Sequence, residues 1–283
     1  MRGLVVSLEA NRPTVVTDEG TRYLCYLRGR IHRDHGRIMV GDRVALMPTD
    51  PGQALITAVE PRMNTLLRPP AANVTGLLVV YTMTRPEGNR ELLDKRLVLA
   101  ELSGMRAEIV LNKADLTPVD AWEQLANVYR DVGYRIWRVS VLTRVGIDEM
   151  IASPRQGTWI LTGESGVGKS SLLSAILPEV KLESQELSRI GRGRETTRQV
   201  RLWLVGEFWL ADAPGYTALT LEVERAEDIL AAFPEFARHH CRFGDCRHLV
   251  EPGCGVRQAL AQGEVDRIRY RSYTTILTNW VKR

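Results

Sequence analysis

The stretch Gly163-Glu164-Ser165-Gly166-Val167-Gly168-Lys169-Ser170 combines spaced glycines with a terminal Lys-Ser pair. That pattern suits a loop whose backbone N–H groups close around phosphate oxygens. Lys169 would reach the β- and γ-phosphates, and the Ser170 hydroxyl would bind Mg²⁺. Thr158-Trp159-Ile160-Leu161-Thr162 before it reads as a short buried strand, and Ser170 to Ile176 after it as the opening of a helix. The loop then lies at a helix N-terminus, where orphan donors and the helix dipole favour anions. Ser171 completes the phosphate-binding candidates. A chance glycine-rich turn would need no such strand–loop–helix setting.

A second cluster reads the base. Asn112-Lys113-Ala114-Asp115 ends the apolar run Ala107-Glu108-Ile109-Val110-Leu111, at the C-terminal strand edge where open α/β sheets bind ligands. A carboxylate at Asp115 accepts both N1–H and the exocyclic amino group of guanine. Adenine would leave that carboxylate unpaired, a difference of several kcal/mol. The expected nucleotide is therefore GTP rather than ATP. Alone, four residues are also compatible with a polar strand-end turn; their pairing with the phosphate loop carries the inference.

The order of the two motifs is inverted. In an ordinary GTPase the phosphate loop precedes Asn-Lys-x-Asp; here it follows, which implies a circular permutation. Ser140-Val141, a second base-side candidate, lies between them, and Thr196-Thr197 and Asp212-Ala213-Pro214-Gly215 come after the phosphate loop. Asp212 would hold Mg²⁺ through a water and Gly215 would offer its N–H to the γ-phosphate. Thr196 or Thr197 would complete the Mg²⁺ shell, with Thr197 taken as the ligand beside Ser170, and would let go after hydrolysis. Position 216, where many GTPases carry a water-orienting glutamine, is Tyr216. Slow intrinsic hydrolysis, or dependence on a partner, is the expectation.

A third cluster, Cys241, Cys246, His248 and Cys254, places three of the four cysteines and a histidine within fourteen residues. In a reducing compartment such a set favours a closed, structural Cys₃His zinc site over disulfides. Cys25, alone in a strand, reads as a small buried hydrophobe. His239 and His240 read as surface residues, since four ligands are already present.

These clusters need elements to hold them. At 283 residues and 44% hydrophobic content the chain has room for several cores. Short alternating segments at Gly3–Leu8, Thr14–Thr17, Thr21–Leu27, Arg43–Met47 and Leu55–Val59 suggest a small β-barrel over 1–66. Within it Arg28, Arg30, Arg33, Arg37 and Arg43 against Asp34 and Asp42 suit either an RNA-phosphate face or a solvated loop. Leu66-Leu67-Arg68-Pro69-Pro70 reads as a linker. An α/β permuted GTPase domain is expected over 67–224, and a mostly helical zinc-binding domain over 225–283. From 236 onward nine Arg/Lys face four Asp/Glu. There Arg267, Arg269, Tyr270, Arg271 and Tyr273 suit RNA backbone contact and base stacking, or a helix with its tyrosines packed inward; the RNA reading is preferred. The first nine residues lack a leader-like apolar run, and nothing approaches a membrane span, so a cytoplasmic location is expected. The protein is expected to be a monomer.

With these motifs in place the chain resembles the RsgA (YjeQ) family of ribosome small-subunit-dependent GTPases over nearly its full length. The resemblance rests on the barrel, the permuted order, Cys246-Arg247-His248 with Glu251-Pro252-Gly253-Cys254, and Arg269-Tyr270 with Tyr273. It implies an oligonucleotide-binding barrel, a Ras-like GTPase domain and a zinc domain acting in late maturation of the 30S subunit. Contact with 16S rRNA and stimulation of GTP hydrolysis by the subunit belong to the same implication. One position departs: the family's usual histidine before the two threonines is Glu195 here. That departure and Tyr216 leave room for a GTP-gated rRNA-binding checkpoint in which hydrolysis is incidental. A permuted GTPase of large-subunit assembly is a weaker alternative.

Overall fold

Alternating apolar residues build five N-terminal strands: β1 (Arg2–Glu9), β2 (Arg12–Thr17), β3 (Arg22–Leu27), β4 (Arg43–Asp50) and β5 (Gln53–Val59). Strand β1 pairs with both β2 and β4, β2 with β3, β3 in parallel with β5, and β5 with β4. The ring therefore closes as 1-2-3-5-4-1, the oligonucleotide-binding-type barrel, and closure leaves no free edge within it. Val5, Val15, Cys25, Val44, Leu46, Ala54 and Ile56 fill the inside. Cys25 takes the buried-hydrophobe role expected of it, and burial pushes its thiol pKa up to about 11. A bulge between Val5 and Ser7 bends β1, and Ser7 pairs outside the barrel with Arg201.

The computed structural model describes residues 1–9, 12–27, 37–67, 70–178, 200–212 and 225–281. Of the basic stretch in the barrel, Arg28, Arg30, Arg33 and Asp34 lie outside those residues. In the described part Arg37 is exposed, while Asp42 and Arg43 are held by partners. Asp42 is fully buried, accepting the Met39 N–H and a bidentate pair from Arg62 at 2.7 and 2.9 Å. Arg43 pairs with Asp18 at 2.8 Å. The expected linker is also different: β6 (Thr65–Leu67) and β7 (Pro70–Ala72) form an antiparallel hairpin. Leu66, Ala71 and Ala72 are buried, so apolar burial holds a segment whose prolines suggested only a spacer.

The chain continues through β8 (Val74–Tyr81), α1 (Arg90–Leu102), β9 (Arg106–Leu111), α2 (Val119–Val132) and β10 (Arg135–Arg138). Next come α3 (Ile147–Ala152), β11 (Gly157–Gly163), α4 (Lys169–Ile176), β12 (Arg201–Val205) and β13 (Phe208–Asp212). The last helices are α5 (Ala226–Ala231), α6 (Gly255–Gln262) and α7 (Arg267–Val281).

Two compact units result, one of Met1–Leu77, Ile147–Thr162 and Lys169–Ala218, the other of Leu78–Gly146, Gly163–Gly168 and Leu219–Arg283. In the first, β11 pairs in parallel with β13, and β13 antiparallel with β12. In the second, β8, β9 and β10 are neighbours in that order, with β9 and β10 parallel.

The C-terminal helices share a core with α1: Val98 packs with Phe233, Phe236, Val256, Tyr273 and Ile276. Two residues of the Arg-Tyr segment that suits RNA contact, Arg269 and Tyr273, turn inward instead. Tyr273 and Arg269 are each 1% exposed. Tyr273 meets Phe236 edge-on at 5.1 Å, while Arg269 forks onto Glu235 and reaches Asp94. The helical repeat explains the choice: 269, 272, 273, 276 and 277 form the buried stripe and leave Arg267 and Arg271 outside.

Candidate nucleotide site and Cys/His cluster

Strand β9 delivers Asn112 to the phosphate loop. The Asn112 side-chain amide donates to the Val167 carbonyl at 2.9 Å. Lys113, held at φ 61°, donates from Nζ to the Gly166 carbonyl at 3.0 Å and to the carbonyl of Arg85. A non-glycine residue in that region costs energy, and it is held here by the bonds its side chain makes. Two loop glycines are required by the same closeness. A Cβ on Gly168 would stand 2.4 Å from Asn112 Nδ2, and one on Gly166 would stand 3.2 Å from the Pro86 ring.

Asp115 is exposed, as a base-reading carboxylate must be. Ser140, fully buried, donates its hydroxyl to Asp115 Oδ1 and accepts the Thr143 N–H at 3.2 Å. The Ser140 bond orients the carboxylate, while neighbouring Val141 is half-buried. Ala114 is buried, with its N–H on the Val139 carbonyl at 3.0 Å. The two base-side motifs predicted from sequence are thus brought together with Gly163, Glu164, Ser165, Gly166, Val167 and Gly168.

On the other unit α4 opens at Lys169, one residue earlier than expected, and carries Ser170 and Ser171 in its first turn. Leu172 and Leu173 bury the opposite face. The parallel register of β11 and β13 sets the Asp212 backbone beside Leu161, at the strand end. The Asp212 side chain and residues Thr196, Thr197, Glu195, Gly215 and Tyr216 lie outside the described residues.

Sequence reasoning missed the segment between β8 and α1. Pro86 packs on Gly166, Arg85 stands at φ 46°, and the Asn89 N–H bonds Glu164 Oε1 at 2.6 Å. The only signal in the sequence is the turn-and-cap run Arg85-Pro86-Glu87-Gly88-Asn89 ahead of an apolar helix.

The ligand atoms of Cys241, Cys246, His248 and Cys254 lie within 4.8 Å of one another. His248 Nδ1 stands 3.4 Å from each of Cys241 Sγ and Cys254 Sγ, and those sulfurs are 3.9 Å apart. A tetrahedral zinc ion needs S···N of about 3.6 Å and S···S of about 3.8 Å, so the cluster is compatible with zinc. Burial holds His248 below the ordinary histidine range, which favours the neutral ligand form. Burial pushes Cys246 up to about 12. Cys241 is raised by burial, but the N–H groups of Val256 and Gly255 at the start of α6 outweigh that and leave it lowered. His239 is half-buried beside Glu264 at 3.9 Å and His240 is exposed, neither belonging to the four.

Five-stranded barrel, inverted motif order and a Cys₃His cluster define a circularly permuted P-loop GTPase with two added modules. Residues 59–222 match the family model described as RsgA GTPase. The small ribosomal subunit biogenesis GTPase RsgA of Moorella thermoacetica is 39% identical over 95% of this chain and 93% of its own. The protein of that name from Thermotoga maritima is 39% identical over 96% and 94%. The crystal structure of YjeQ from Thermotoga maritima superposes with a TM-score of 0.84 at 35% identity, covering 100% of this chain and 99% of that one. YloQ, a circularly permuted GTPase, gives 0.80 at 29% identity over 98% and 94%. The chain belongs to the RsgA GTPase family.

Proposed function

We propose that this protein hydrolyses GTP as a late maturation factor of the small (30S) ribosomal subunit, which stimulates the reaction. The observation that carries the GTPase reading is the bonding of Asn112 and Lys113 to the phosphate-loop backbone, which joins base reader and phosphate cradle. The relatives' shared name carries the ribosomal part. Asp115 reads guanine, and Gly163 to Gly168 with Lys169, Ser170 and Ser171 hold the phosphates. Ser170, Thr197 and Asp212 supply the Mg²⁺ environment, with Thr196 the neighbouring candidate and Gly215 the γ-phosphate contact. Mg²⁺ neutralises charge developing on the β- and γ-phosphates.

The N-terminal barrel acts as an rRNA-facing part. On the C-terminal module the exposed Arg267 and Arg271 of α7 are the residues left to meet phosphates, and the Cys₃His cluster holds one structural zinc. Among the described residues no helix is long and apolar enough to cross a membrane. The proposed cytoplasmic site of action rests on the ribosomal role. The protein is taken to work as a monomer. Turnover measured alone, with purified 30S and with 50S subunits tests this reading. Stimulation by 30S supports it; a rate that 30S leaves unchanged, or that only 50S raises, removes it.

Tyr216 and Glu195 favour a second reading, a GTP-gated checkpoint on rRNA in which hydrolysis is incidental. Under that reading a slowly hydrolysed GTP analogue releases the protein from 30S subunits as fast as GTP does.

A further inference from the structure

Helix α1 touches the phosphate loop at one end and the C-terminal module along its length. Asn89 caps the helix, its Oδ1 accepting from Glu91 N at 2.8 Å, and donates its own N–H to Glu164 Oε1. Glu164 is the second residue of a loop that binds phosphates, where a free carboxylate would repel the ligand. The Asn89 bond and the dipole of the 13-residue α1 hold that negative charge at the helix N-terminus instead. Pro86 on Gly166 and the Lys113 bond to the Arg85 carbonyl close the same clasp.

Further along α1, Asp94 is fully buried. It accepts from Tyr129 Oη of α2 at 3.0 Å, from Arg269 Nη1 at 2.9 Å and from the Ser272 hydroxyl, the last two on α7. Helix α7 in turn grips the metal-ligand segment: Tyr270 Oη donates to the His248 carbonyl and Tyr273 Oη to the Arg247 carbonyl, both at 2.6 Å. Contacts thus run unbroken from Glu164 through α1 and α7 to the residues around His248.

We propose that Glu164 and Asp94 are positioning residues for nucleotide binding. Glu164 docks the phosphate loop onto α1, and Asp94 fixes α1 against α7, so nucleotide release depends on the packing of the C-terminal module. This rests on the GTPase reading of the site.

Release of a fluorescent GDP analogue from the full chain tests it. Glu164→Ala removes a charge-assisted bond and should speed release about tenfold. Glu164→Gln keeps an acceptor and should return the rate to within about threefold of wild type. Ser272→Ala removes one of the Asp94 donors with little change of shape and should speed release about threefold. In the double variant Glu164→Ala/Ser272→Ala the effects should combine to less than their product, because the first already frees the loop from α1. Release at the wild-type rate in Glu164→Ala overturns the proposal. So does a Ser272→Ala protein whose melting temperature falls while its release rate stays put, since that marks a purely structural role. A wild-type protein that binds no GDP overturns the GTPase reading instead.

Discussion

The side-chain amide of Asn112 donates to the carbonyl oxygen of Val167 across 2.9 Å, although 55 residues separate them in the chain. In this permuted order the base-reading motif is made first and must wait for the phosphate loop. The bond shows that permutation changes where the chain is cut and leaves the coupling of base and phosphate recognition intact. Gly168 is part of that coupling, because any side chain there would meet the Asn112 amide.

Asp115 is exposed and held by Ser140. Asp115→Asn should weaken GTP binding by roughly 100-fold, since two hydrogen bonds to the guanine edge are lost or inverted. Affinity for xanthine nucleotides should rise. Titration of both nucleotides reads the result, and unchanged GTP affinity would show that another residue reads the base.

Lys169→Ala and Ser170→Ala each remove charge stabilisation at the phosphates and should lower turnover by about 100-fold or more. Steady-state GTP hydrolysis measures this. Either variant working at the wild-type rate contradicts the phosphate-site assignment.

Freshly purified protein should contain close to one zinc per chain by elemental analysis. Cys246→Ala, or a strong chelator, should expose residues 225–281 to limited proteolysis before the barrel is cut. The reason is that a structural ion stands in for the core that so short a segment lacks. Metal-free protein with an unchanged cleavage pattern would remove zinc from the account.

Arg269 is buried between Asp94 and Glu235. Burial acts to discharge it, but the two carboxylates overcome that and raise its pKa. Arg269→Met leaves both carboxylates buried and unpaired, at a cost of about 3–5 kcal/mol. Denaturant unfolding checks the value. A loss below about 1 kcal/mol would mean that water or a rearranged partner replaces the guanidinium.

Turnover on the small subunit should fall with added salt if Arg189, Arg192, Arg194 and Arg198, clustered in sequence around Thr196-Thr197, meet rRNA phosphates, because such contacts release counterions. Glu195→His restores the residue usual in the family and should raise the subunit-stimulated rate if position 195 helps to activate water. All five of these residues lie outside the described residues, so kinetics is the direct probe. Identical rates for the two proteins at every salt concentration would exclude that role.

By itself the sequence determined what depends on neighbours along the chain. The phosphate loop, Asn112 to Asp115 and the Cys/His set could be read because each needs particular residue types within a few positions, and their order exposed the permutation. The strands of the barrel were legible for the same reason, as alternation is a local signal. What only the tertiary structure decided depends on distant partners. Arg269 could have faced RNA or the core; its pairing with Asp94, 175 residues away, set it inward. The Leu66 segment became a hairpin because burial of Leu66, Ala71 and Ala72 outweighed the proline signal. The clasp of Arg85, Pro86 and Asn89 on the phosphate loop was hidden likewise. Its bonds are made by backbone atoms that every residue carries, and residue type does not reveal where a backbone N–H will find its acceptor.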